Sequence, residues 1–203
     1  MTKKKEKTRL ERALYFMRLQ TREDILKTLL GSLAGIVSYI VLYFVRSPSY
    51  KLMGMLTVQI DFALLAIPVA AAFFGPLSGL LVGFLGTLGA DALFTQQIIA
   101  LGVINLSYGL LGLITGIPHY TEGEGFSRGR RLGKLLVFTM AGLIAMVILY
   151  LGGLLVIAGQ NLLPTLLYNF LPFLSVSLIT LLIVGPVAVR IAGAVSSYFA
   201  GRV

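Results

Sequence analysis

Two aspartates, Asp61 and Asp91, flank a long apolar stretch that reads DFALLAIPVAAAFFGPLSGLLVGFLGTLGADAL. A carboxylate inside hydrocarbon is costly unless it faces water, another polar group or a ligand. Ionisable residues at such positions therefore predict a functional site. An interhelical hydrogen bond within the fold is the alternative for either residue.

Side chains for several kinds of chemistry do not occur at the required spacing. The chain has no cysteine and one histidine, His119, so we expect no metal site. The patterns GxxxxGK[ST], HExxH and GxSxG are also missing from the sequence. Their absence argues against nucleotide hydrolysis, zinc proteolysis and an esterase-type serine nucleophile. We therefore expect a protein that is not an enzyme and that uses no cofactor.

Composition places the two aspartates in a membrane protein. Of the 203 residues 57% are hydrophobic and 12% charged, and the mean hydropathy is +0.92. Soluble domains are about 25% charged. A helix needs roughly 20 apolar residues to cross a bilayer, and six such runs predict an all-α bundle of six transmembrane helices. The predicted spans are 28–46, 54–74, 77–94, 98–117, 135–158 and 164–188.

The stretch between the aspartates predicts a closely packed helical hairpin. Gly75-Pro76 fits neither helix and is typical of a tight turn. Beyond it, small residues recur at helical spacing on one face, which lets a neighbouring helix approach closely. They are Gly79, Gly83, Gly86 and Ala90.

Basic residues are distributed unequally among the predicted loops. Fifteen of the seventeen lie in residues 1–27, 118–134 and 189–203, and only Arg46 and Lys51 lie elsewhere. Because cytoplasmic loops retain Lys and Arg, this distribution predicts a multi-pass cell-membrane protein with both termini in the cytoplasm. It also accounts for the net charge of +9 without a nucleic-acid partner.

Residues 1–27 form the first of two predicted regions, and the six-helix substrate-binding domain 28–203 is the second. Nine residues of the first region are basic, and Leu10, Ala13, Leu14 and Met17 recur at helical spacing. This pattern predicts a basic amphipathic cytoplasmic helix on the inner membrane surface, attracted by anionic lipid. A solvated basic tail that only sets the orientation is the alternative.

With this orientation, the polar residues of the spans concentrate in the outer half of the membrane and in the outer loops. A cavity that opens to the outside, below residues 47–53, would explain the whole set. For any single Asn or Tyr, an interhelical hydrogen bond or an interface anchor is the alternative. The candidate substrate-binding residues are Asp61, Asp91, Asn105, Tyr108, Asn161, Tyr168 and Asn169.

Small residues also occur in the inner half of the first span. Gly31 with Gly35, and Ala34 with Ser38, are two pairs of small residues spaced by four. Such pairs permit close backbone approach, either within this chain or to another subunit. These four residues are our candidates for partner docking.

Two segments carry a resemblance to a known family. The stretch from Asp61 through GPLSGLLVG (residues 75–83) to Asp91 resembles the S components, or substrate-capture subunits, of energy-coupling factor (ECF) transporters. The last span, with Asn169 and Pro186, is similar to the last helix of that family. Together the two segments cover about a quarter of the chain.

The resemblance implies a membrane-embedded binding subunit that captures a vitamin or related micronutrient at the outer face. In that family the loop between helices one and two closes over the ligand. Small residues on helix one contact a transmembrane coupling subunit, and two ATPase subunits supply the energy for uptake. Gly31, Ala34, Gly35 and Ser38 match this helix-one pattern by type and spacing.

The chain also departs from well-known members of the family. In the riboflavin-binding members the aspartate is followed by Ser-Asp, whereas Asp61 is followed by Phe62 and Ala63. The lack of tryptophan argues against a thiamin-type pocket. Similar Gly-Pro hairpins occur in membrane-sensor domains of histidine kinases and in cell-shape proteins. A membrane sensor or scaffold module without transport is therefore the alternative function.

Overall fold

The computed structural model describes residues 11, 14–15, 17, 19–45, 50–52, 56–58, 61–94, 102–118, 129–157, 161, 163, 166–167 and 171–200. These residues are helical apart from one short hairpin. The elements are α1 (Arg22–Phe44), β1 (Tyr50–Leu52), β2 (Leu56–Val58), a 3-10 turn (Phe62–Leu65), α2 (Ala66–Phe74), α3 (Pro76–Phe94), α4 (Gly102–Gly116), α5 (Gly129–Gly152), α6 (Leu171–Leu178) and α7 (Gly185–Ala200). Short π-helical stretches extend α5 (Gly153–Ile157) and join α6 to α7 (Ile179–Val184).

Four helical stretches are long and apolar enough to cross a membrane: Arg22–Phe44, Pro76–Leu93, Arg131–Val156 and Leu174–Val195. They support the prediction of a helical membrane protein. Two further apolar helices, Phe62–Phe74 and Ile104–Gly116, are shorter. At about 1.5 Å per residue, each covers roughly 20 Å of a hydrocarbon core about 30 Å thick. Six crossings therefore stay a prediction.

The all-helical fold is confirmed in the described residues apart from a hairpin of two three-residue strands, and the second predicted span was placed too early. Strands β1 and β2 pair in antiparallel fashion, with Tyr50 opposite Val58 and Leu52 opposite Leu56. Helical structure begins only at Phe62, where the Asp61 side chain accepts a hydrogen bond from the backbone N–H of Ala63 at 3.0 Å. Hydropathy does not distinguish a short apolar strand from a helix, which is why residue 54 was a wrong starting point.

Helix α1 begins within the predicted segment 1–27, earlier than the expected start at residue 28. The Thr21 hydroxyl accepts from the Asp24 N–H at 3.1 Å, and the Asp24 carboxylate accepts from the Thr21 N–H at 3.0 Å. This reciprocal cap satisfies two N–H groups at the helix start and fixes its first residue at Arg22. The amphipathic helix proposed for residues 1–27 falls mostly outside the described residues.

Helix α2 lies at the centre of the bundle. It contacts α1, α3, α4 and α7, so it is surrounded by protein instead of lipid. A helix shorter than the membrane is tolerated there, because the non-helical backbone beyond its ends is shielded from hydrocarbon by protein. Its buried residues are mostly small: Ala66, Ile67, Pro68, Ala70, Ala71 and Ala72.

The glycine face predicted for α3 packs against α4, backbone to backbone. A Cβ atom at Gly79 would overlap the carbonyl group of Gly112, and one at Gly83 would overlap that of Tyr108. Between α2 and α3, Gly75 has a φ of 94°, a conformation open to glycine and strained for other residues. The predicted turn and the close-packing glycine face are both present, and the helix that this face meets is α4, which lies outside the hairpin.

Helices α1 to α5 alternate in direction, whereas α6 continues into α7 through the π-helical stretch. The bundle therefore has two chemically different ends. Gly31 lies against Phe74, and Gly116 lies against Pro76, which brings the start of α1 and the turn between α2 and α3 to one end. We call this the basic end because it carries Arg22, Lys27, Arg131 and Lys134. The opposite end, which carries Asp61, Asp91 and Asn105, is called the polar end.

Candidate functional site

Four of the seven predicted substrate-binding residues lie close together at the polar end. The Tyr108 hydroxyl is within electrostatic range of both Asp61 and Asp91, and the Asn105 side chain lies beside the Asp91 carboxylate. These residues come from three different elements: the 3-10 turn, the end of α3 and the first turns of α4. Residues separated by more than 40 positions therefore form one cluster.

The backbone around Asp61 holds this residue in place. Its carboxylate caps the 3-10 turn by accepting from Ala63, and Ala63 and Leu64 behind it are fully buried. Asp61 as a whole residue is partly exposed. A carboxylate that caps a buried turn is thus fixed in position.

Asn105 is almost completely buried, with 2% of its surface exposed. Although it lies beside Asp91, its Nδ2 reaches no acceptor with hydrogen-bond geometry among the residues that the structure describes. The two side chains are therefore neighbours, and Nδ2 lies outside hydrogen-bonding geometry. A buried donor left without an acceptor costs about 1–3 kcal/mol, so this amide is suited to a partner that the chain itself does not supply.

Three tyrosines that sequence analysis did not select complete the cluster. Tyr39 is 2% exposed and packs on Gly86, within electrostatic range of Asp61, Tyr43 and Tyr108. Tyr150 lies in range of Tyr108 and Asp91. The sequence does indicate two of them, because Tyr39 and Tyr43 are spaced by four residues and therefore share a face of α1.

Together these residues form what we call the polar cluster: Tyr39, Tyr43, Asp61, Asp91, Asn105, Tyr108 and Tyr150. It combines carboxylate acceptors, an amide and hydroxyl groups that donate or accept, with aromatic rings. A few polar groups placed among apolar and aromatic side chains are typical of small-molecule sites. Within the described residues no group of three or more His, Cys, Asp and Glu residues is arranged to hold a metal ion.

The remaining predicted site residues are not part of this cluster as described. Asn161 is exposed, and Tyr168 and Asn169 lie outside the described residues. The segment 47–53, expected above a cavity, is described only at Tyr50–Leu52, where it forms the first strand of the hairpin. The predicted cavity and the substrate contacts of these residues stay predictions.

The four docking candidates on α1 divide into two pairs. Gly31 and Gly35 face the bundle, because a Cβ atom at Gly31 would overlap the Phe74 ring and one at Gly35 would lie 2.5 Å from Val82 Cγ2. Ala34 and Ser38 are exposed. The glycine pair thus already serves packing within the chain, which was the alternative to docking, and only the other pair presents a free surface.

Comparison of the chain with protein-family models, with curated proteins and with solved structures finds no match in any of the three. The resemblance to ECF S components therefore stays a prediction from the motifs that carry it.

Proposed function

We propose that this chain is the membrane-embedded substrate-binding subunit of an ECF-type ABC transporter. It captures a vitamin or related micronutrient at the outer face, and partner subunits drive uptake with ATP. The observation that carries the proposal is the polar cluster, which concentrates two aspartates, an asparagine and four tyrosines at one end of an apolar helical bundle. Groups of this kind are costly in a membrane unless they serve a ligand, water or one another.

The partners in this proposal are a transmembrane coupling subunit and two ATPase subunits. The sequence contains no phosphate-binding loop for a nucleotide, so the energy has to come from another chain. On α1 the exposed Ala34 and Ser38 are the candidates for contact with the coupling subunit. The closing loop in the proposal is the segment that contains the β1–β2 hairpin.

Mass spectrometry of small molecules that co-purify with the protein tests the capture step. We expect a bound micronutrient in the unaltered protein and its loss in the double variant Asp61→Asn/Asp91→Asn. Glu23→Gln is the matched control, because it makes the same chemical change on an exposed residue at the basic end. A ligand retained equally by all three proteins would place the binding site elsewhere.

Reconstitution in liposomes tests the transport step. We expect no uptake by this chain alone and ATP-dependent uptake when the coupling and ATPase subunits are added. Uptake by the isolated chain at the rate of the full complex would refute the proposal. A protein that binds its ligand but never delivers it, and whose gene neighbours encode a kinase or cell-wall enzymes, would instead support the sensor or scaffold alternative.

The proposed orientation is testable because the chain has no native cysteine. A Glu124→Cys variant should be labelled by membrane-impermeant thiol reagents only after the cells are opened. Labelling from outside intact cells would show that the topology is the reverse of the proposed one, with the polar cluster on the cytoplasmic side.

A further inference from the structure

We infer that the polar cluster recognises a ligand that presents a protonated nitrogen next to a hydrogen-bond acceptor. The inference rests on the proposed function of the cluster as a ligand site and specifies the chemistry of that ligand. It follows from the charge of the cluster, from the unused donor of Asn105 and from the surrounding tyrosines.

The cluster contains acidic side chains and no basic one. Asp61 and Asp91 are its carboxylates, and its other members are tyrosines and an asparagine. The basic side chains at the start of α1 and of α5, Arg22, Lys27, Arg131 and Lys134, lie at the opposite end of the bundle. A cationic ligand would supply positive charge where the cluster carries two acidic groups, and the partly buried setting strengthens that attraction.

Asn105 supplies the second requirement. Its side chain is 2% exposed and lies beside Asp91, while Nδ2 has no acceptor among the described residues. An NH₂ group can only donate, so the missing partner is an acceptor such as a carbonyl oxygen. A ligand with its cationic nitrogen at the carboxylates and an acceptor close by satisfies both groups.

The tyrosines suit the same ligand. Four of them lie within electrostatic range of the aspartates or of one another. Tyrosine rings attract cations to their faces and stack with other rings. An aromatic amine therefore makes a suitable probe for the cluster.

Four compounds of similar size separate the two requirements: phenylalaninamide (cationic, with a carbonyl), phenethylamine (cationic, without one), N-acetylphenylalaninamide (neutral) and N-acetylphenylalanine (anionic). Melting temperatures of the purified full-length chain in nanodiscs are followed by circular dichroism at millimolar probe. At about pH 6 both amines are protonated, since an α-amino group has a pKa of about 7.7–8.0 and a simple alkylamine, such as that of lysine, has a pKa of about 10.4.

We expect both cations to raise the melting temperature by several degrees, phenylalaninamide more than phenethylamine. The neutral and anionic compounds should leave it unchanged. Asp61→Asn/Asp91→Asn should abolish the shift, whereas Glu23→Gln should keep it. The double variant is expected to fold, because asparagine also caps helical turns. Asn105→Leu should remove only the advantage of phenylalaninamide over phenethylamine.

Arg46→Gln/Lys51→Gln removes the two basic residues of the predicted outer segments and should keep the preference for cations. The inference is overturned if the neutral or anionic compound stabilises the protein as much as the cations. It is equally overturned if neither amine stabilises the protein, or if the shift survives loss of both aspartates.

Failure of this inference and failure of the proposed function give different results. A co-purified micronutrient that is anionic or neutral, bound through the aspartates, would overturn the inference and leave the transport proposal standing. Stabilisation by the cations with no uptake by the reconstituted complex would overturn transport and leave the inference standing.

Discussion

Helices α3 and α4 differ sharply from the last helix, Leu171–Ala200, in how they are held. The first two meet through glycine, with Gly79 against Gly112 and Gly83 against Tyr108. The fraction of buried residues is 44% in the apolar segment Pro76–Leu93 and 22% in the most apolar segment of Leu174–Val195. The last helix thus turns most of its surface outward, where an apolar side chain suits lipid.

The buried threonines of the two regions differ in their hydrogen bonds. Thr87 donates to the carbonyl of Gly83 at 2.7 Å, and Thr115 to that of Leu111 at 2.8 Å. In the last helix, Ser177 and Thr180 are fully buried, yet their hydroxyls have no partner among the described residues. Thr180 lies in the π-helical stretch Ile179–Val184, where the backbone departs from regular α-helical spacing. Buried serines of both regions, Ser78 and Ser177, lack a partner among the described residues, so the contrast between the regions rests on the threonines.

The largest effect is expected at the glycine contact. Gly79→Ala should lower the free energy of unfolding by about 2–3 kcal/mol or more, because the added methyl group meets backbone that has no rotamer to change. Gly133 on α5 has open space around it, so Gly133→Ala should be neutral or stabilise by up to about 1 kcal/mol. Denaturant unfolding in mixed micelles measures both. Equal effects would show that α3 and α4 do not touch as described.

The next effect concerns α1. Gly35→Leu should cost about 1–2 kcal/mol, because its side chain would displace Val82, which is fully buried. Ala34→Leu, one position earlier on the exposed face, should leave stability unchanged. If Ala34 contacts the coupling subunit, this second variant should bind ligand normally and lose co-purification with that subunit. If the Gly35→Leu protein is as stable as the unaltered protein, Gly31 and Gly35 become candidates for partner docking again.

A smaller effect is expected at Asn105, and it separates binding from stability. Asn105→Leu removes a buried donor that lacks a partner, so the melting temperature should stay the same or rise. Affinity for the natural ligand should fall by about tenfold, or roughly 1.4 kcal/mol. The exposed Asn161 provides the control substitution Asn161→Leu. Isothermal titration with the co-purified ligand measures the difference, and an unchanged affinity would remove Asn105 from the site.

The smallest effect compares two threonines. Thr115→Val loses the hydrogen bond to Leu111 and should cost about 1 kcal/mol. Thr180→Val loses no hydrogen bond to a described residue and should change stability by less than that, or raise it. The same unfolding assay measures both variants. A larger loss at Thr180 would show that its hydroxyl has a partner beyond the described residues.

Composition and periodicity determined much of this fold. Long apolar runs predicted helices that can cross a membrane, and four such helices are present. Gly75 has to accept a positive φ, and the small residues after it share one face at helical spacing. Both features belong to the local sequence, since backbone sterics and helix geometry act within a few residues. The partition of basic and polar residues between the two ends is likewise visible in the sequence.

Only the tertiary structure decided which faces meet. A pair of small residues at helical spacing gives the same sequence pattern whether it faces the bundle or the lipid. The contact of Gly35 with Val82 shows that this glycine faces the bundle. The extended pairing of Leu52 with Leu56 depends on a partner strand, so hydropathy did not predict it. Tyr39 and Tyr150 became part of the polar cluster because α1 and α5 carry them to Asp61 and Asp91. Long-range packing brings such residues together, and no spacing within a single helix encodes it.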